Sequence, residues 1–167
     1  MKISYRLLIT SVISLFCVGC DQASKHYAAN YLPKDRMDTY LYDMLRIGYT
    51  ENTGAFLGMG SGLSAEHRFW LFSVFAGLLL IGLFIWLLVS NPVSIGSVTG
   101  LALIISGGAS NLYDRIVNDG AVIDFLNIGI SSLRTGIFNI ADMAILAGAV
   151  LIVVAGNADN AESETQQ

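Results

Sequence analysis

Between positions 69 and 113 the chain carries no charged side chain. A run of that length cannot be hidden inside a soluble domain of 167 residues, so its natural solvent is hydrocarbon. It is too long for one crossing, and Ser90-Asn91-Pro92 breaks it near the middle, proline after asparagine being a turn signal. The pattern predicts two helices, at about 69–89 and 93–111, each with the ~20 residues that cross ~30 Å of hydrocarbon. A third apolar run, 137–155, carries Asp142 as its one charge, and a fourth, 7–20, is bounded by Arg6 and Asp21. Composition agrees: 54% of residues are apolar and 13% charged, roughly half the usual charged share. The expected fold class is a membrane protein, mainly α. Four transmembrane helices would form a single integral domain over 1–167, ending in a polar tail, 157–167, that is expected to be disordered.

The net charge of −4 and the lack of a basic stripe exclude nucleic acid as a partner. Lys2 and Arg6 place the N-terminus inside by the positive-inside rule. Lys25, Lys34, Arg36, Arg46, Arg68, Arg115 and Arg134 then fall outside, against that rule, and the orientation rests on the usual dominance of the first helix. The start also has the form of a signal peptide ending at Gly19-Cys20. Cys17, three residues before Cys20, stands where a lipoprotein signal usually carries leucine, so retention of this segment is expected.

With four alternating spans, the end of the first, the start of the second, the end of the third and the start of the fourth share one face of the membrane. The unusual polar segments all lie there: Asp21 to Lys25, Glu51 to Ala55, Asn111 to Arg115, Asp124, and Asn139 to Asp142. The loop 26–67 is expected to form a small extramembrane unit. Its segment 44–50 alternates Leu45, Ile47 and Tyr49 with Arg46, Gly48 and Thr50, which reads as a strand, and an interfacial helix near Trp70 would precede the second span. The glycines at 54 and 58 would let the loop between them move, with Phe56, Leu57 and Met59 as a cover over the site.

Asp142 carries the most information. A carboxylate inside an apolar helix costs about 2.5–3.5 kcal/mol on insertion scales, so it should face the bundle with a partner. It serves either as a polar contact between helices or as a working acid. Asp124 is flanked by four apolar residues and lies 18 positions earlier, on the same membrane face. It is either a single outward-facing acid of a strand or the second member of a pair. Two such aspartates can share one proton. The ionised one takes a proton from water, and the protonated one polarises a peptide carbonyl and then protonates the leaving nitrogen.

Asn111, Asp114 and Arg115, spaced on one helical face, read as support that orients the site. Asp21 and Lys25 read either as similar support or as a local ion pair at the helix end. The small-residue stretch around Gly108 suits close helix packing or approach of a substrate backbone. No His-Glu-x-x-His is present and His26 and His67 stand apart, so neither a metal nor a cofactor is expected. A Ser/Lys peptidase is disfavoured because Ser24 and Lys25 are consecutive. The alternative from another class is a non-enzymatic polytopic protein with an Asp/Arg ion path, which would place polar groups at several depths.

Five segments in order resemble signal peptidase II, the bacterial lipoprotein signal peptidase family: Asp21-Gln22-x-Ser24-Lys25, Glu51 to Phe56, Gly107 to Arg115, Val122 to Phe125 and Phe138 to Asp142. The resemblance implies four transmembrane helices with both termini in the cytoplasm, and a small extracytoplasmic β-rich cradle, in a multi-pass protein of the bacterial inner membrane. It implies an aspartyl endopeptidase that removes the signal peptide from prolipoproteins bearing a diacylglyceryl cysteine, cutting just before that cysteine. The catalytic pair would be Asp124 and Asp142. Asn52, Gly54, Gly108, Asn111, Asp114, Arg115 and Asn139 would support substrate or pair, and Asp21 and Lys25 would be structural. It further implies a monomer in contact with membrane lipid, inhibited by globomycin-type cyclic peptides.

Overall fold

The computed structural model describes residues 1–55, 58–90 and 94–164, without side chains beyond Asn157. Phe56, Leu57 and the Asn91-Pro92 turn lie outside the described residues. The elements in order are α1 (Ile3–Tyr31), β1 (Asp38–Tyr40), β2 (Leu45–Asn52), α2 (Ala65–Arg68), a π-helical segment (Phe69–Phe75), α3 (Ala76–Val89), α4 (Ile95–Val117), β3 (Val122–Ile130), β4 (Leu133–Arg134) and α5 (Ile140–Glu164). Four helical stretches are long and apolar enough to cross a membrane: Ile3–Tyr31, Ala65–Val89, Ile95–Val117 and Ile140–Asn157. The helix of α5 continues to Glu164, into the segment for which the sequence predicts a solvated tail.

The first span is much longer than the sequence predicts. The apolar run stops at Cys20, but the helix continues to Tyr31. The reason is a stripe at helical period along its inner face: Arg6, Thr10, Cys17, Asp21, Lys25 and Ala28 are all buried. Asp21 and Lys25 therefore face the bundle. On the opposite side Leu15 is 80% and Phe16 75% exposed, while Asp21 is fully buried. Charges inside and large apolar side chains outside is the arrangement of a bilayer protein. At 29 residues α1 is about 44 Å long, well beyond the hydrocarbon, and its last turns carry the sheet.

The sheet is antiparallel in the order β1-β2-β3-β4. Strand β2 pairs with β3 so that Thr50 stands opposite Asp124 and Asn52 opposite Val122, with a shift in register between Ile47 and Thr50. The predicted strand is present, two residues longer at its C-terminal end. Leu41, Tyr42 and Asp43 turn the chain from β1 to β2 in the left-handed region, at φ 53, 54 and 67, and Arg46 grips Asp43 with two bonds of 2.6 Å.

Helices α4 and α5 approach closely enough that a Cβ on Gly100 would stand 2.7 Å from the Gly148 carbonyl, and one on Gly148 2.5 Å from that of Gly100. Small residues at helical spacing allow backbones to touch, as in other membrane bundles. At the far end of the bundle Arg6, 1% exposed, donates to the carbonyls of Leu87, Leu88 and Ser90 at 3.0, 3.3 and 2.7 Å. It caps the C-terminus of α3, whose last carbonyls have no helical partner. Arg6 thus serves the fold as well as the charge asymmetry of the ends.

Candidate active site

Helix α5 opens with a reciprocal pair. The side-chain oxygen of Asn139 accepts from the Asp142 N–H at 2.9 Å, and Asp142 Oδ2 accepts from the Asn139 N–H at 3.2 Å. This is the geometry of a capping box, which satisfies two donors that a helix start leaves free. It fixes Asp142 in the first turn of α5, where the helix dipole favours negative charge. Asp142 Oδ1 accepts from Asn111 Nδ2 at 3.0 Å, across from α4.

Asp124 arrives from the sheet and is 1% exposed. Its two oxygens accept from Asn139 Nδ2 at 2.7 Å and Asn52 Nδ2 at 2.8 Å. Asn139 therefore touches both aspartates, one through its amide and one through its backbone. Burial pushes the Asp124 carboxyl up to about 7, the nearby Asp142 charge adds to the rise, and the amide donors oppose it. The reading of Asp124 as an outward-facing acid fails: the isolated bridge of Leu126 to Phe138 draws the β3 segment against the start of α5.

Behind this pair lies a buried ionic cluster. Lys25 Nζ meets Asp21 Oδ2 at 2.7 Å, Asp114 Oδ2 at 2.9 Å and Asn111 Oδ1 at 2.7 Å. An ammonium has three donors, and here each has an acceptor. Asp21 also accepts from Ser110 Oγ at 2.7 Å and from the Ala141 N–H at 2.8 Å, so it caps α5 as well. Asp114 accepts from the Ile123 N–H at 3.1 Å and from Gln22 Nε2 at 2.8 Å. The cluster ties α1, α4, α5 and the start of β3 together directly beside both aspartates. Gln22 and Ser110 belong to it although the sequence gives them no role. Their signal is spacing: Gln22 stands three residues before Lys25, and Ser110 four before Asp114.

Arg115 takes a different path from Asn111 and Asp114. Its hydrogen bonds go to the carbonyls of Gly54, at 2.6 Å, and Gly120, at 3.0 Å, and its guanidinium lies over the Phe72 ring. Gly54 is buried, and a Cβ there would stand 2.5 Å from the Met59 carbonyl. Its N–H donates to Asn52 Oδ1 at 2.9 Å, so this glycine is clamped and is not a hinge. Gly58 stands at φ +82, where glycine is favoured, and its N–H donates to the Ala55 carbonyl at 2.9 Å. The cover assigned to Phe56 and Leu57 falls outside the described residues.

Each aspartate borders a cavity of its own. A cleft of about 230 Å³ lined by Asn52, Thr53, Gly58, Ile137 and Asp124 opens on the sheet side. An apolar groove of about 290 Å³ between α3, α4 and α5 reaches Asp142 past Leu80, Leu83, Ile104, Gly108 and Ile145. Gly108 lines this groove with its α-carbon against Leu80, where a Cβ would stand 2.6 Å from a methyl. No group of three or more His, Cys, Asp or Glu suited to a metal occurs among the described residues.

The family model for Signal peptidase (SPase) II matches residues 13–156. The lipoprotein signal peptidase of Tropheryma whipplei (strain Twist) is 36% identical over 141 residues, which cover 80% of this chain and 83% of that one. The lipoprotein signal peptidase of Streptococcus pneumoniae (strain ATCC BAA-255 / R6) is 29% identical over 147 residues, covering 88% and 91%. A solved structure described as a bacterial membrane enzyme, obtained by the in meso method at 2.3 Å resolution, superposes with a TM-score of 0.78 at 27% identity and covers 92% of this chain and 90% of that one. With the ordered polar segments and the four spans, these matches make the chain a multi-pass membrane peptidase of the signal peptidase II family.

Proposed function

We propose that Asp124 and Asp142 are the catalytic pair that lets this chain cut the signal peptide from lipoprotein precursors. The observation that carries the assignment is the bridge through Asn139, which joins an aspartate bordering a polar cleft to one bordering an apolar groove. A signal peptide is an apolar helix and a diacylglyceryl cysteine is anchored in lipid, so the groove suits the membrane-bound part of the substrate. The polar cleft admits water and the backbone at the cut.

The pair works with one shared proton, which resides on Asp124. Asp142, ionised at the α5 N-terminus, takes a proton from water, and the oxygen attacks the carbonyl carbon before the lipidated cysteine. Asp124 gives a hydrogen bond to the carbonyl oxygen. When the tetrahedral intermediate collapses the carbon–nitrogen bond breaks, and the nitrogen leaves with a proton from the pair. Asn52, Asn111 and Asn139 hold the carboxylates. Asp114, with Asp21 and Lys25, fixes the elements that bear them, and Arg115 with Gly54 fixes the loop of Asn52. Gly108 keeps the groove open.

The site faces the extracytoplasmic side of the bacterial inner membrane, and both termini are cytoplasmic, a reading supported by Lys2 and Arg6 before the first span. The chain acts as a monomer without cofactor, and globomycin-type cyclic peptides compete for the cleft. The test is cleavage of a diacylglyceryl-modified precursor by the purified chain in nanodiscs, with the product mapped by mass spectrometry. A cut immediately before the modified cysteine, absent with the unmodified precursor, is expected. Equal cutting of both precursors overturns the assignment of the groove.

A further inference from the structure

A third cavity, about 330 Å³, lies on the other side of Arg115 and is not bordered by either aspartate. Arg68, Ser73, Arg115 and Asp119 supply its polar lining, and Phe69 and Ile116 its apolar edge. Neither arginine meets a carboxylate among the ion pairs of the described residues. Arg68 donates to the carbonyls of Ser61 and Leu63 at 3.0 and 2.9 Å, and Arg115 to those of Gly54 and Gly120. Carbonyls satisfy N–H groups without neutralising the charge. Each guanidinium has five donors, and these bonds use two of them. Two guanidinium groups and one carboxylate, that of Asp119, line the cavity; this excess of positive charge suits an anion, and phosphate oxygens match the planar fork of a guanidinium.

The surroundings narrow the choice. Phe69 and Ile116 are 56% and 71% exposed at the rim, near the ends of two apolar spans. An anion bound here would have apolar material directly beside it. Asp119 adds an acceptor for a hydroxyl or ammonium group attached to that anion. A phosphate diester with acyl tails on one side and a small polar alcohol or amine on the other meets all three features.

We propose that this cavity is a phospholipid headgroup site in the leaflet where the aspartates lie, with the phosphate between Arg68 and Arg115. It does not depend on the peptidase reading. Because the same Arg115 holds the Gly54 carbonyl, an occupied site would steady the loop that carries Asn52.

The test is native mass spectrometry of the full chain released from detergent, with dilauroylphosphatidylglycerol, dilauroylglycerol and inorganic phosphate as probes. Two variants are compared: Arg68→Gln, which removes a charge, and Ser73→Leu, which fills the cavity and keeps both arginines. The phospholipid is expected to stay bound to the native chain, with retention at least fivefold lower in both variants while their melting temperatures stay within a few degrees of native. Dilauroylglycerol, which lacks the phosphate, should be retained no better than background. Native retention in both variants overturns the site. Equal retention of dilauroylglycerol shows a merely apolar contact and also overturns it. Binding of inorganic phosphate without the lipid overturns the lipid as ligand and leaves a soluble anion in its place.

Discussion

Asn111 has one amide orientation open to it. The Lys25 ammonium has only donors to offer, so it selects Asn111 Oδ1, and the Nδ2 then points at Asp142. A buried lysine thereby acts on the site at one remove. Lys25→Met would leave Asp21 and Asp114 without their cation, at a cost of about 3–5 kcal/mol for an uncompensated buried charge. Adding Asp114→Asn should recover part of that loss, as read from thermal unfolding in detergent. The elevated Asp124 carboxyl predicts two pH effects. Turnover should fall as pH rises through about 7, where the shared proton is lost. Folding stability should also fall between the ordinary carboxylate range and about 7, because ionisation is unfavourable in the fold and free in the unfolded chain. The melting temperature of Asp124→Asn relative to native should therefore climb between pH 4 and pH 8, and a flat difference would contradict the burial argument.

Among the elements, the start of α5 is legible in the sequence. Asn139 and Asp142 stand at the start of an apolar run with the spacing of a capping box, so cap and acid are the same residues. The length of α1 was not legible. A window of apolar residues ends at Cys20, and only the inward stripe, seen across the bundle, explains the ten residues and more that follow. The π-helical segment at Phe69–Phe75 has no signature in the chain either; it turns Phe72 toward Arg115 and Gly60. Two substitutions test packing at this scale. Gly100→Val should push α4 from α5 and cost about 1–3 kcal/mol by overpacking. Gly54→Ala should leave the melting temperature nearly unchanged while lowering kcat about tenfold, because displacing the Gly54–Met59 contact loosens Asn52 and not the bundle.

On the scale of the whole molecule, the buried acids gather at one end of the bundle. Asp21, Lys25, Asp114, Asp124 and Asp142 gather at the sheet end, and Arg6 at the opposite end is taken up by α3 carbonyls. An ion path would need charges in between, so this distribution favours surface chemistry. The alternation of spans made that convergence readable from the chain alone. The partner of each acid was not readable, because Asn52, Asn111 and Asn139 come from a loop, a helix and a helix cap that meet only once the sheet has formed. Orientation is open to direct measurement. Cysteines placed at Ser61 and at Lys2, in a background lacking Cys17 and Cys20, should react with a membrane-impermeant maleimide in intact cells at the first position alone.

The most direct test of the paired-carboxylate mechanism is single-turnover cleavage of a diacylglyceryl-modified precursor in nanodiscs by Asp124→Asn and by Asp142→Asn, each checked for folding and substrate binding. Both variants should bind the precursor and cut it at least a thousandfold more slowly than the native chain. Cutting at near-native rate by either one would contradict the mechanism.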